Sequence, residues 1–542
     1  MSDPTAARHG GAGGRPCRVV VVGGGMAGLG AARVLEAARA QDPSLDWRLF
    51  EQDPRFGGKV HTERRDGFVV EGGPDSAIIE KPWPITAARE LGIADRFLDC
   101  NEDIRKSFVY TRGRLHELPE GIILMVPTRM VPFALSGLMS WPGKARMGLD
   151  LVLPRGGAAT LGLEGPAGQA LDESLGDFVR RRLGREALQR IAEPIVAGIH
   201  AGDPEHMSVR ATFPMFLEME HEHRSLILAM LKRRQARQKA AAARAAAAAS
   251  GAPGAGRGSR PSGPRSYFYS FRTGLQDLSD AIVASLPAER LHAGVGVTAM
   301  AECGAGCGAR AGSGAYALQL SDGSRLVAEA VVLATPAWAS GDLLRPIAPA
   351  AASDLSSIQY VSTATVSVAF EAAQVSHDLK GFGFVVPRAE DRPVMATTWS
   401  SSKFDGRAPA GHVLLRSFLG RAGREAAAQL DDDEMVAVVR SELREIMGIR
   451  AEPEFARIFR WPRGMPQYRV GHVELVAHIE AAVARVPGIE LAGGAYHGIG
   501  IGDCLREGAA AAERALAHVR GLPEEAVPPQ PPDLPAADGL VD

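Results

Sequence analysis

Val19-Val20-Val21-Val22-Gly23-Gly24-Gly25-Met26-Ala27-Gly28 is the stretch that decides the fold. Four successive β-branched residues predict a strand buried on both faces. The glycines follow at once, and Leu29 to Glu36 continues with helical periodicity. Gly23, Gly25 and Gly28 fit the spacing G-x-G-x-x-G, with Gly24, Met26 and Ala27 completing the loop. In that pattern the first glycine makes the strand-to-helix turn, the second admits a pyrophosphate to the backbone, and the third lets helix pack on strand. The phosphates then meet free N–H groups at a helix N-terminus. A second strand, Trp47 to Phe50, ends in Glu51, with Gln52 after it, where an acid holds ribose hydroxyls. The expectation is an α/β dinucleotide-binding domain of Rossmann type.

After Glu51 comes Arg55-Phe56-Gly57-Gly58-Lys59, with Thr62 beyond. This resembles the R-x-G-G-(R/K)-x-x-T signature of the flavin amine oxidase superfamily, which points to FAD rather than a nicotinamide. Gly57 and Gly58 bring backbone near the pyrophosphate, and Arg55 and Lys59 offset its charge.

Further motifs narrow the resemblance. Glu71-Gly72-Gly73-Pro74-Asp75-Ser76 is similar to the E-R-G-P-D-S box of FAD-dependent porphyrinogen oxidases, with Gly72 in place of Arg. Leu115 to Gly121, Leu175 to Asp203, Arg460 to His472 and Gly498 to Cys504 resemble other stretches of that family in the same order. The last has Gly502 where the family has Pro. His223-Arg224-Ser225-Leu226-Ile227-Leu228 resembles the branch that acts on coproporphyrinogen III rather than protoporphyrinogen IX. What the resemblance implies is oxidation of coproporphyrinogen III to coproporphyrin III in haem biosynthesis, with O2 as acceptor and H2O2 released. Protoporphyrinogen IX oxidation is the alternative; an amine oxidase and a non-catalytic porphyrin carrier are more remote.

The resemblance also distributes roles. Gly73, Pro74, Asp75 and Ser76 are expected near the flavin, Val297 beside the adenine, and Trp461 near the isoalloxazine. Ile499, Gly500 and Ile501 open the last helix, whose N-terminus stabilises negative charge on the reduced ring. Lys81 and Arg416 are the candidates for binding substrate carboxylates. No Ser/His/Asp set, carboxylate pair or metal cluster demands a role, so no catalytic residue and no metal is assigned.

With 542 residues, 46% hydrophobic, the chain supports a large core in two or three domains. A net charge of −2 gives no sign of nucleic acid as a partner. Five cysteines without a paired framework suit a reducing cytoplasm. Ile122 to Trp141 is apolar but broken by Pro127, Arg129 and Pro132, too interrupted to span a bilayer. It reads either as a core helix or, by family analogy, as a peripheral contact on the inner face of the membrane; hand-off to a ferrochelatase is a further implication.

The expected organisation is a disordered leader (1–15), a discontinuous FAD domain (16–98, 270–344, 455–520) and a helical subdomain (99–212). A mixed-sheet substrate domain takes 213–231 and 345–454. A low-complexity insert (232–266) and a disordered tail (521–542) complete the chain.

Overall fold

The computed structural model describes residues 17–119, 121–123, 125–156, 172–249, 263–303 and 314–522. The expected leader, residues 250–262 of the insert and the tail beyond 522 lie outside them.

Strand Cys17–Val22 pairs in parallel with Trp47–Glu51 on one side and Arg325–Leu333 on the other. Leu291–Ala293 extends this sheet beyond Trp47–Glu51, and Ile489–Leu491 joins Arg325–Leu333 in parallel. Tyr316–Leu320 and Val297–Glu302 complete it antiparallel. The valine run explains itself here. Val19 and Val21 pack with helices Met26–Gln41 and Ile501–Arg520, while Val20 and Val22 pack with Leu333, Leu344 and Ile479 on the opposite face. All four are buried.

The second large sheet has the order Phe455–Pro466, Tyr360–Glu371, His412–Leu419, Val394–Trp399, Gly383–Val385, Ser107–Thr111, Arg114–Glu117. One face is apolar: Val366, Val368, Phe370, Leu415 and Leu419 pack on Met435, Val439 and Leu443 of helix Asp432–Met447. Its other face carries Thr365 and Arg416, which reach across to Gly72 and Gly73.

Three expected boundaries change. Phe455–Pro466 pairs with Tyr360–Glu371, so it belongs to the substrate sheet and not to the FAD domain. Ser107–Thr111 and Arg114–Glu117 close that sheet's far edge, so the helical subdomain starts later than residue 99. Helices Pro214–His223 and Leu226–Ala249 pack through Phe216, Met219, Ile227 and Met230 on Phe178, Leu183 and Val196, which puts 213–231 in the helical subdomain. The local cause is Asp150, fully buried. It accepts from Arg182 Nε (2.8 Å), Ser225 Oγ (2.6 Å) and the Ile227 N–H (3.0 Å), tying the His223-to-Leu228 motif to the subdomain. The start of the expected insert is ordered as the end of helix Leu226–Ala249. Ile122 to Trp141 is neither a core helix nor a long one; it forms short strands at Ile122–Ile123 and Val126–Pro127 and helix Met130–Leu135. No helix among the described residues is long and apolar enough to cross a membrane.

Candidate cofactor site

Gly23 has φ +102°, and a Cβ there would lie 2.7 Å from the Ala334 carbonyl oxygen; only glycine makes this turn. The Gly24 N–H donates to Glu51 Oε2 at 2.6 Å, and the Asp53 N–H donates to Glu51 Oε1 at 2.9 Å. Glu51 is thereby fixed at the strand end where a ribose acid belongs. Gly25 differs from its neighbours in having nothing within 4 Å of where its Cβ would be. It is the N-cap of helix Met26–Gln41, so the open space lies at the positive end of that helix.

The Arg55-to-Lys59 turn closes over this space. Gly57 N–H donates to Gly24 O at 2.8 Å, and a Cβ on Gly58 would lie 3.1 Å from Gly25 Cα. Arg55 does not reach outward. It donates to Val60 O at 3.1 Å, to Phe56 O at 3.3 Å and to Gly58 O, and so braces the turn. Lys59 is solvent-accessible, yet desolvation by the protein around it pulls its ammonium below the ordinary lysine value.

The strand after Glu51 is joined by Val295, whose N–H donates to Glu51 O at 2.9 Å. Gly296 packs against Gln52, its Cβ position 3.0 Å from that of Gln52. Gln52, Glu51 and Val297 are therefore gathered at one end of the sheet.

The 71–76 box forms the opposite wall. Glu71 is buried and accepts from Thr62 Oγ1 and the Leu275 N–H, both at 2.7 Å; burial raises its carboxyl, against the pull of Arg407. Gly72 O accepts from Thr365 Oγ1 and from Trp461 Nε1, each at 2.9 Å. Gly73 O accepts from Arg416, and a Cβ on Gly73 would collide with the Lys59 carbonyl. Both carbonyls are pulled toward the second sheet, and since a trans peptide sets N–H opposite C=O, the Gly73 N–H turns away from it. Asp75 accepts from Lys403 Nζ at 3.0 and 3.1 Å and from Ser76 Oγ at 2.7 Å. Burial alone would raise the Asp75 carboxyl, but Lys403 and Arg416 together hold it below the usual carboxylate range.

The last helix, Ile501–Arg520, delivers its N-terminus to the same region, following Ile499 and capped by Gly500. The Gly500 N–H donates to Asp503 Oδ2 at 3.2 Å. Gly502 takes the family's Pro position because Lys81 fills the space: a Cβ there would lie 2.7 Å from Lys81 Cβ. Lys81 Nζ then pairs with Asp503 Oδ1 at 2.9 Å, so the acid it meets is the protein's own. Tyr468 OH donates to Gly494 O (3.0 Å) and accepts from the Gly498 N–H (2.8 Å), pinning the glycine turn.

The structure thus brings together Gly23 to Gly28, Glu51, Gln52, Arg55 to Lys59, Gly73 to Ser76, Val297, Trp461 and Ile499 to Ile501. Lys403 and Thr365 are structural partners that sequence inspection misses, since neither stands in a quoted motif. Tyr468 does stand in one, Met465 to Tyr468, and its role as a clamp could be found there. Among the described residues no cluster of His, Cys, Asp or Glu fits a metal ion.

The residues present fit FAD: an open phosphate cradle at a helix N-terminus, a fixed acid at the strand end and a partly desolvated lysine beside them. A family model described as "Flavin containing amine oxidoreductase" matches residues 26–516. The chain is 40% identical over 515 residues to the coproporphyrinogen III oxidase of Propionibacterium freudenreichii subsp. freudenreichii, covering 92% of this chain and 91% of that one. It is 33% identical over 504 residues to the Bacillus subtilis (strain 168) protein of the same name, covering 92% and 98%. The chloroplastic protoporphyrinogen oxidase of Nicotiana tabacum is 30% identical over 503 residues, covering 90% and 83%. Among solved structures, one from Exiguobacterium sp. 255-15 carrying a protoporphyrinogen oxidase name superposes with TM-score 0.73 at 29% identity, covering 93% of this chain and 99% of that one.

Proposed function

The chain belongs to the flavin-containing amine oxidoreductase family and is an FAD oxidoreductase, and from that premise we propose that it oxidises coproporphyrinogen III to coproporphyrin III with O2 as acceptor. The supporting observation is full-length similarity to coproporphyrinogen III oxidases laid over an intact cradle. Bound FAD supplies a two-electron acceptor that O2 re-oxidises, so a six-electron ring oxidation takes three turnovers. The protein's part is positional. Glu51 holds the ribose, Gly25 and Lys59 receive the pyrophosphate, and the Gly500 helix end faces the charge that develops on reduction.

The test supplies FAD-loaded protein with each porphyrinogen separately, and follows porphyrin fluorescence with H2O2. Coproporphyrinogen III is expected to turn over faster; appreciable turnover of protoporphyrinogen IX alone overturns the substrate. Anaerobic mixing separates an enzyme from a porphyrin carrier, because only the enzyme bleaches its flavin.

A peripheral membrane contact is part of this reading. Val131 (70% exposed), Leu135 (79%), Trp141 (70%) and Val152 (68%) lie within one stretch of the helical subdomain. Helix Leu226–Ala249 is held beside it by Arg234, which donates to Thr128 O at 3.0 Å, and presents exposed Lys232 and Lys239. Apolar side chains flanked by lysines fit an anionic lipid surface. The double variant Leu135→Ser/Trp141→Ser is expected to lose co-sedimentation with phosphatidylglycerol vesicles and keep its activity in solution. Wild-type protein that fails to sediment with those vesicles overturns the contact.

A further inference from the structure

Arg416 lies on a central strand, His412–Leu419, and is 3% exposed. One nitrogen donates to Gly73 O, and the guanidinium carbon lies 4.5 Å from the centre of the Phe418 ring. Nε and Nη1 are buried without a hydrogen-bond partner. The acids that act on it electrostatically, Asp75 and Glu71, are already engaged. Asp75 is held by Lys403 and Ser76; Glu71 by Thr62, the Leu275 N–H and Arg407 at 3.7 Å. Across the sheet, Arg416 is flanked by Ser367 and Thr398, neither of them an acid, and Ser367 Oγ is also buried and unpartnered.

Arg64 and Asp277, which also act on Arg407, pair with each other at 2.8 Å, so the cluster holds four cations (Arg416, Lys403, Arg407, Arg64) and three acids (Glu71, Asp75, Asp277). Guanidinium does not give up its proton in proteins, and a buried charge without a counter-ion is costly unless something else compensates it. Oxidation of the substrate supplies a compensating charge. A hydride leaving a bridging carbon carries two electrons and a proton to the cofactor, adding one negative charge there, while the pyrrole N–H proton passes to water. O2 then takes the hydride equivalent and a proton and leaves as H2O2.

We propose that Arg416 is a positioning residue for this redox step. Through the Gly73 carbonyl it fixes the wall of the cofactor site, and its unneutralised charge favours the reduced state of the cofactor. This rests on the FAD-oxidase reading above.

The experiment uses FAD-loaded wild type, Arg416→Met and Arg416→Lys. FAD content per chain, the midpoint potential against a reference dye under anaerobic photoreduction, and thermal midpoint are measured together. Arg416→Met is expected to retain FAD, to shift to a lower potential, and to slow anaerobic bleaching by porphyrinogen about tenfold. Arg416→Lys, which keeps the charge, is expected to restore most of the potential. An unchanged potential in Arg416→Met, with only a lower thermal midpoint, overturns the proposal. A shift in Arg416→Lys as large as in Arg416→Met also overturns it. If Arg416→Met does not fold, Arg416→Gln carries the same comparison. Because photoreduction needs no porphyrinogen, a wrong substrate leaves this outcome readable, and wild-type protein that binds no FAD indicts the parent reading instead.

Discussion

Gly25 and Gly28 stand three residues apart and are kept for opposite reasons. A Cβ on Gly28 would run into the Gly23 carbonyl, whereas a Cβ on Gly25 would meet nothing of the protein within 4 Å. Gly25 has φ −72° and ψ −175°, a conformation open to any residue. Gly25→Ala is therefore expected to fold with an unchanged apo thermal midpoint and to bind FAD at least about tenfold more weakly, a loss near 1.4 kcal/mol. Gly28→Ala is expected not to accumulate as folded protein. Titration of FAD into both apo variants, with circular dichroism alongside, checks the contrast. The motif already assigns one glycine to a ligand and the other to helix packing, and the neighbours agree with that division: the Gly28 Cβ position is filled by the Gly23 carbonyl, that of Gly25 by nothing of the protein.

Among elements, helix Asp432–Met447 shows what local sequence does fix. Asp431 Oδ1 accepts from the Glu434 N–H at 2.8 Å and Glu434 reaches back to the Asp431 N–H at 3.4 Å, a capping box announced by the acids at its start. Asp431→Ala is expected to cost about 1 kcal/mol of stability and leave turnover unchanged, measured by denaturant midpoint and assay. The valine strand and the glycine turns were legible because their signals are local. Strand Phe455–Pro466 was not: nothing in its own residues says whether it pairs with Arg325–Leu333 or with Tyr360–Glu371. The same holds for Lys81, basic and well placed in sequence, whose partner Asp503 arrives from the other end of the chain. Arg416 was visible as a candidate for binding a carboxylate, but its missing counter-ion is a property of four segments together.

At the scale of the whole molecule, buried histidines make the fold sensitive to acid, His200 and His472 among them. His200 and His472 are 8% and 4% exposed, and burial first of all brings each imidazole down to about 4 from 6.5. Between those values the unfolded chain takes up protons that the folded one refuses, so the contribution of these two groups to stability is fully present above pH 6.5 and is lost as pH drops toward 4. At pH 5 each contributes a loss of about 2 kcal/mol. Thermal midpoints at pH 7.5 and pH 5 are expected to differ clearly in wild type and less in His472→Gln. Equal slopes in the two proteins contradict this origin.

The pairing of the first and last helices has a consequence for biogenesis. Gly30 and Gly508 let Met26–Gln41 and Ile501–Arg520 touch backbone to backbone, Gly30 against Leu505 and Gly508 against Ala27. One side of the prosthetic group's berth, opening at Met26, is thus translated 475 residues before the other, opening at Ile501. A ribosome-bound nascent chain halted before residue 500 holds only half a berth, so the yellow pigment finds a complete one only when these two distant stretches of the polypeptide have met.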